Sequence, residues 1–317
     1  MPDDSTLHES TLHDGTGTGT GTGTGSGTWL LGDLPVRRIG LGALRLPGPV
    51  AFDNGSVADR ARSIRVLRRA VELGVNHIDT AAFYFSARRS ANELIAAALA
   101  PYPDDLVIAT KVGPRRDRSG AWARWARPDE LRGDVEENLR QLGRDHLDVV
   151  TLRVSERTAP HIAEYVGELA GMRRAGLIRH IGVSGVDLPA LAAARGEASV
   201  VCVQNPFGLG HTRPGDAELL RACAESGIAF VPFFAIAGGG GHAGAAANTA
   251  AVAALAEVAA AHGATPAQIR LAWTLHQGAH VLAIPGTGDP EHVAQNVAAG
   301  TIRLAPREVR ALGAVTG

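Results

Sequence analysis

Eight short apolar segments, separated by amphipathic stretches, constrain this chain more than any other feature. They run 37–42, 75–80, 105–111, 146–153, 178–184, 200–205, 228–234 and 281–286, and are rich in valine and isoleucine. Several carry apolar residues at consecutive positions, the pattern of strands covered on both faces. Between them, stretches such as 59–73, 129–142, 159–175 and 215–226 place apolar residues at helical spacing. Gly74 and Gly227 mark passages from helix to strand. Eight such units predict a closed (β/α)8 TIM barrel. The alternative, an open doubly wound sheet, wants a GxGxxG turn after its first strand. The nearest stretch, Gly40-Leu41-Gly42-Ala43-Leu44-Arg45, lacks the third glycine.

The chain has 317 residues, 45% of them hydrophobic, which suffices for one barrel domain over 31–317. Residues 1–30 contain a Gly/Thr alternation over Gly15 to Gly27 that has almost nothing to bury, so they read as a disordered tail. There is no basic flank with an apolar run at the start, and no run of about 18 apolar residues anywhere, so no signal peptide or membrane span is expected. A net charge of -1 provides no electrostatic drive toward nucleic acid or an anionic membrane. Cys202 and Cys223 read as buried free thiols in a reducing compartment, the cytoplasm. No pattern in the sequence specifies an oligomeric state.

In a barrel, residues at the C-terminal ends of the strands face one common site. Here they are Asp79 and Tyr84, Lys111, Arg153, Ser184, Gln204 and Asn205, Phe233 and Phe234, and the loop Gly286 to Asn296. Lys111 is the chain's only lysine, against 31 lysines and arginines in all. Where arginine serves almost every other cationic position, a lone lysine closing an apolar strand suggests a place for a compact ammonium; a chance surface lysine is the alternative. Asp79, on the adjacent strand, needs a partner if buried, and Lys111 can supply it. Tyr84 is either a packed loop tyrosine or a general acid. A phenol's ordinary pKa is about 10, and a neighbouring ammonium is expected to lower it.

HIDTAAFY, ATKVG, VSG, VQN and IPGTGDPEHVAQN occur in that order and closely resemble the aldo/keto reductases. The resemblance implies a barrel that binds a nicotinamide dinucleotide, usually NADPH with NADH possible, and reduces a small-molecule carbonyl. It further implies that Asp79, Tyr84 and Lys111 are three of four catalytic residues. Tyr84 would protonate the carbonyl oxygen, Lys111 would tune it and Asp79 would hold Lys111. Ser184 and Gln204 would bind the carboxamide, Phe233 would stack on the nicotinamide, and Gly286, Thr287, His292 and Asn296 would serve the phosphate and adenine end. No metal is implied.

This chain departs from the family's pattern in three places. Arg153 replaces the usual histidine; a guanidinium also donates hydrogen bonds but adds a fixed positive charge. Gly185 replaces an asparagine that contacts the carboxamide. His292 stands where NADPH-specific members often carry arginine, which weakens the expected preference for NADPH. LRV at 152–154, VCVQN at 201–205 and VPFF at 231–234 resemble the bacterial pyridoxal reductases. The 3-hydroxyl of pyridoxal would suit Arg153, unless that arginine folds back onto Asp148 or a backbone carbonyl.

Trp122 and Trp125 either wall the pocket or pin the loop after the third strand. Arg115, Arg116 and Arg118 read as a solvated face, with anion binding as the alternative. His77, His146, His180 and His211 lack metal-ligand spacing, and His77 reads as structural. Two other functions compete with aldehyde reduction: a non-catalytic nicotinamide-binding redox sensor, which an altered fourth position would suit, and a metal-dependent hydrolase, which would need acidic or histidine ligands at strand ends now held by Ser, Gln, Phe and Arg.

Overall fold

The computed structural model describes residues 26–48, 52, 55, 57–233, 235, 236 and 249–316. Most of the Gly/Thr-rich segment, Phe234 and the Gly/Ala-rich stretch 237–248 lie outside the described residues. The first element is an antiparallel hairpin of β1 (Thr28–Leu31) and β2 (Leu34–Arg37), turned at Gly32 and Asp33. The described fold thus begins before residue 31. Alternation decides this: Leu31 and Val36 are buried among Val107, Val149, Ala229 and Leu282, residues of the barrel strands, while Leu30 and Arg37 face out. The hairpin therefore plugs one end of the barrel, and Arg37 belongs to it rather than to the first barrel strand.

The barrel sheet takes β3 (Leu41–Gly42), β4 (His77–Asp79), β7 (Val107–Val112), β8 (Leu147–Arg153), β9 (Ile178–Ser184), β10 (Val200–Gln204) and β11 (Ala229–Phe230), all parallel and in that order. A small hairpin, β5 (Phe85–Ser86) with β6 (Arg89–Ser90), sits in the loop after β4. The eighth segment closes the ring. Val281 bridges Phe230 of β11, while Ala283 and Gly286 bridge Ile39 and Gly42 on the far edge. Gly40 N donates to Ala283 O at 2.8 Å and Leu282 N to Phe230 O at 2.9 Å. The seam needs glycine: a Cβ on Gly42 would lie 2.6 Å from the Ile284 carbonyl oxygen. Gly40 makes room for the His77 ring inside the barrel. The GxG pair is thus a packing device, not a phosphate turn.

The surrounding helices are α1 (Arg60–Glu72), α2 (Ala91–Leu99), α3 (Leu131–Leu142), α4 (Ile162–Arg174), α5 (Leu188–Glu197) and α6 (Asp216–Glu225), each returning the chain to the next strand. α7 (Thr249–Ala261) and α8 (Pro266–Leu275) precede the eighth segment; α9 (Pro290–Ala298) and α10 (Pro306–Thr316) follow it. Side-chain caps start several of the helices: Asp59 accepts from Ala61 N to cap α1, and Thr265 with Gln268 forms a capping box on α8. Gly74 and Gly227, with φ of 84° and 66°, end α1 and α6. The core between sheet and helices is aliphatic, with Val66, Leu67, Ile95, Leu131, Val166 and Leu169 among its buried side chains.

Candidate active site

Asp79 ends β4, and Lys111 lies one residue before the end of β7, its hydrogen-bonded neighbour in the sheet. Both are buried. The Lys111 ammonium donates to Asp79 Oδ1 and, at 3.1 Å, to the Thr80 carbonyl. The second carboxylate oxygen of Asp79 accepts from Gln204 Nε2 at 2.6 Å. This arrangement answers the cost of burying an ion pair, because both oxygens and two ammonium protons have partners.

Tyr84 follows in a turn closed by Tyr84 N donating to Ala81 O, and its own carbonyl accepts from Ala91 N at the start of α2. Its buried ring lies 5.0 Å from Lys111 Nζ and edge-on to Phe83, with centroids 5.2 Å apart. Burial pushes the phenol pKa above its ordinary value, and the Lys111 ammonium offsets this only in part. The net direction is thus opposite to the lowering expected from the ammonium alone. Burial pulls the Lys111 pKa down, yet Asp79 and Tyr84 outweigh it and the ammonium is held above its usual range. A protonated phenol beside a permanent ammonium can give a proton to an oxygen that gains negative charge.

Arg153, in register with Ser184 on the next strand, does not fold onto Asp148. Arg144 takes that carboxylate at 2.9 Å, and Ile108 N donates to it as well. The Arg153 guanidinium instead lies 5.0 Å from the centre of the Phe233 ring. Among the described residues no carboxylate pairs with it. Ser184 Oγ and Gln204 Oε1 are buried with no hydrogen-bond partner among the described residues. Asn205 is a brace rather than a binder: its side chain accepts from Gly185 N and Val186 N and donates to Val186 O.

A second group forms where the eighth segment meets α9. Gly286 lies in the barrel seam, Thr287 Oγ1 accepts from Asp289 N at 3.0 Å and stands 3.5 Å from His292 Nδ1. Asp289 caps α9, on which Asn296 is buried. So the structure joins Asp79, Tyr84, Lys111 and Gln204 in one cluster and pairs Arg153 with Phe233. The 286–296 residues keep to their own neighbourhood.

The loop after β7 corrects the solvated-face expectation at Arg115 and Arg116. Arg115 pairs with Asp134 at 2.8 Å, and Arg116 is bound to backbone carbonyls of three loops; of the three arginines only Arg118 is exposed. Trp122 bridges to Arg116 across this loop and packs on Phe52 and Phe83, centroids 4.8 and 6.0 Å away, while staying 53% exposed. It both pins the loop and borders the Tyr84 neighbourhood. Trp125 packs near Gly113. Arg116, Phe52 and Phe83 were not legible as site residues; the one available signal was their clustering at strand-end loops. A 1010 Å³ cleft opens at Val154, Gly185 and Arg213, and neither Tyr84 nor Lys111 lines it. Among the described residues no His, Cys, Asp or Glu cluster could hold a metal ion, and no helix is long and apolar enough to cross a membrane.

The aldo/keto reductase family profile matches residues 38–316. The chain belongs to the aldo/keto reductase family. It is accordingly a nicotinamide-dependent oxidoreductase. It is 43% identical over 294 residues to pyridoxine 4-dehydrogenase of Escherichia coli strain K12, covering 91% of this chain and 98% of that protein. Among solved structures, a thermostable aldo-keto reductase in complex with the inhibitor epalrestat superposes with a TM-score of 0.75 at 28% identity, over 90% of this chain and 97% of that one. An aldo-keto reductase from Klebsiella pneumoniae in complex with NADPH superposes with a TM-score of 0.70 at 27% identity, over 88% and 90%. The strand-end residues of this aldo/keto reductase fit such a cofactor. A nicotinamide carboxamide carries one acceptor and two donors, which are the complements of the unpartnered Ser184 hydroxyl and Gln204 carbonyl oxygen.

Proposed function

We propose that this aldo/keto reductase reduces an aromatic aldehyde bearing an ortho hydroxyl, pyridoxal foremost, to its alcohol, with NADPH preferred over NADH. The observation that carries the reading is the buried Tyr84 phenol beside an ammonium that Asp79 holds in place. Bound cofactor supplies the hydride for the carbonyl carbon. Tyr84 gives its proton to the carbonyl oxygen, and Lys111 stabilises the phenolate left behind. Asp79 keeps Lys111 charged and fixed. Ser184 and Gln204 hold the carboxamide, Phe233 backs the nicotinamide ring, and Gly286, Thr287, His292 and Asn296 serve the phosphate and adenine end. Arg153, with no carboxylate partner among the described residues, supplies a cation for the substrate's phenolate. The likeness to pyridoxine 4-dehydrogenase supports this choice of substrate. The two buried, unpaired cysteines suit the reducing cytoplasm.

The test is oxidation of NADPH and NADH, in parallel, by pyridoxal and by aromatic aldehydes lacking the ortho hydroxyl, with wild type and Arg153→Ala. The proposal expects wild type to favour pyridoxal and Arg153→Ala to lose mainly that substrate. Equal losses for both aldehyde classes would rule out the pairing with Arg153. No turnover of any aldehyde alongside tight cofactor binding would overturn the activity itself.

A further inference from the structure

Arg116 makes an unusual set of bonds for a half-buried arginine. Nη1 donates to the Phe83 carbonyl at 3.2 Å and to the Phe85 carbonyl at 2.7 Å, Nη2 to the Phe52 carbonyl at 3.0 Å, and Nε to the Gly120 carbonyl at 2.8 Å. Its guanidinium also lies against the rings of Phe85, Phe52 and Trp122, at 4.3, 5.7 and 5.8 Å. Among the described residues no carboxylate pairs with it. A planar fork with donors on every edge can meet four carbonyls at once, which an ammonium on a flexible stem cannot. Two of those carbonyls belong to the residues immediately before and after Tyr84. The other two come from loops after different strands, β3 and β7. Phe83 and Phe52, both bonded through their carbonyls, also set their rings edge-on to Tyr84, with centroids 5.2 and 6.0 Å away.

We infer that Arg116 is a positioning residue for Tyr84: by gripping the Phe83 and Phe85 carbonyls it fixes the direction in which the phenol hydroxyl points. The inference rests on Tyr84 being the general acid. The hydroxyl itself has no need of Arg116 for charge, since Lys111 is the cation beside it. Arg116 acts on the backbone segment that carries the ring. A displacement of the proton donor by about 1 Å costs on the order of 100-fold in rate, so the segment on either side of Tyr84 has to be held, and β5 and β6 alone contribute only a two-residue ladder.

The experiment compares wild type, Arg116→Ala, Arg116→Lys, Tyr84→Phe and the Arg116→Ala/Tyr84→Phe double variant in the full chain. Steady-state kinetics with pyridoxal and NADPH are read beside NADPH dissociation constants from nicotinamide fluorescence. Arg116→Ala is expected to lower kcat about 10- to 100-fold while the cofactor dissociation constant stays within about 2-fold. Arg116→Lys should resemble Arg116→Ala, and added methylguanidinium should restore part of the rate to Arg116→Ala but not to Arg116→Lys. In the Tyr84→Phe background, Arg116→Ala should change kcat no further. A raised KM with unchanged kcat would make Arg116 a substrate contact and overturn the inference, as would losses that multiply in the double variant. If Arg116→Ala does not fold, Arg116→Lys decides: full kcat in that variant overturns the inference. Should Tyr84→Phe keep its activity, the general-acid reading fails, whatever Arg116 does.

Discussion

Gln204 and Asp79 are joined by a 2.6 Å hydrogen bond across the barrel mouth, from strands that stand four apart in the ring of eight. One side chain thus ties opposite walls together and leaves its own carbonyl oxygen turned to the site without a partner among the described residues. Gln204→Leu removes a donor from a buried carboxylate. We expect a loss of about 2 kcal/mol in stability by urea unfolding, with weaker NADPH binding by fluorescence titration. An unchanged cofactor affinity would remove Gln204 from the carboxamide site.

Lys111→Met leaves Asp79 buried with Gln204 as its remaining side-chain partner. Breaking a buried pair from one side costs about 3–5 kcal/mol, whereas replacing both charges by apolar groups costs far less. Asp79→Leu/Lys111→Met should therefore be more stable than Lys111→Met alone in denaturant melts, although both lack activity. A double variant less stable than the single one would contradict the pairing.

A general acid must be protonated to act. Because burial, incompletely offset by Lys111, raises the Tyr84 pKa, Tyr84 stays protonated throughout the neutral range. The reduction rate governed by Tyr84 should be flat there and fall only above the ordinary phenol pKa of about 10. A kcat profile that declines with a midpoint near pH 8 would mean that Lys111 outweighs burial.

His77, two residues before Asp79 on β4, carries a different pH dependence. Burial, opposed by the Asp79 charge, pushes its imidazole down from 6.5 to about 4. Unfolding raises that pKa, so the unfolded chain binds the extra proton first. Stability contributed by neutral His77 is complete above pH 6.5 and lost as pH falls toward 4, roughly 3 kcal/mol over the window. Denaturant midpoints across that window should fall steeply for wild type and less steeply for His77→Asn. Parallel slopes would assign the acid sensitivity to other groups.

The barrel was legible because strands covered on both faces must be apolar at consecutive positions, and Leu147–Arg153 and Ile178–Ser184 appear at nearly their read boundaries. The eighth segment, held by isolated bridges rather than a long ladder, was still readable from its apolar residues. What the sequence hid depends on close approach or on distance along the chain. The hairpin at Thr28–Arg37 adjoins a Gly/Thr repeat that masks its alternation. Arg116 looks like any other arginine in a run, because its carbonyl partners lie 4 to 64 residues away. Tyr84 was found by spacing, but the sign of its pKa shift depends on burial, which only packing sets. Arg153 could be flagged as a substitution, and only the structure shows Asp148 already taken by Arg144.

Tyr84 is the proposed proton donor in a nicotinamide-dependent carbonyl reduction. Tyr84→Phe removes one oxygen and leaves the ring contacts with Phe83 and Phe52 in place. The decisive measurement is kcat for NADPH oxidation by pyridoxal in this variant, beside its NADPH dissociation constant. The expected kcat is lower by about 100- to 10,000-fold with cofactor affinity unchanged. A kcat within about 3-fold of wild type, below the least that general acid catalysis contributes, would contradict it.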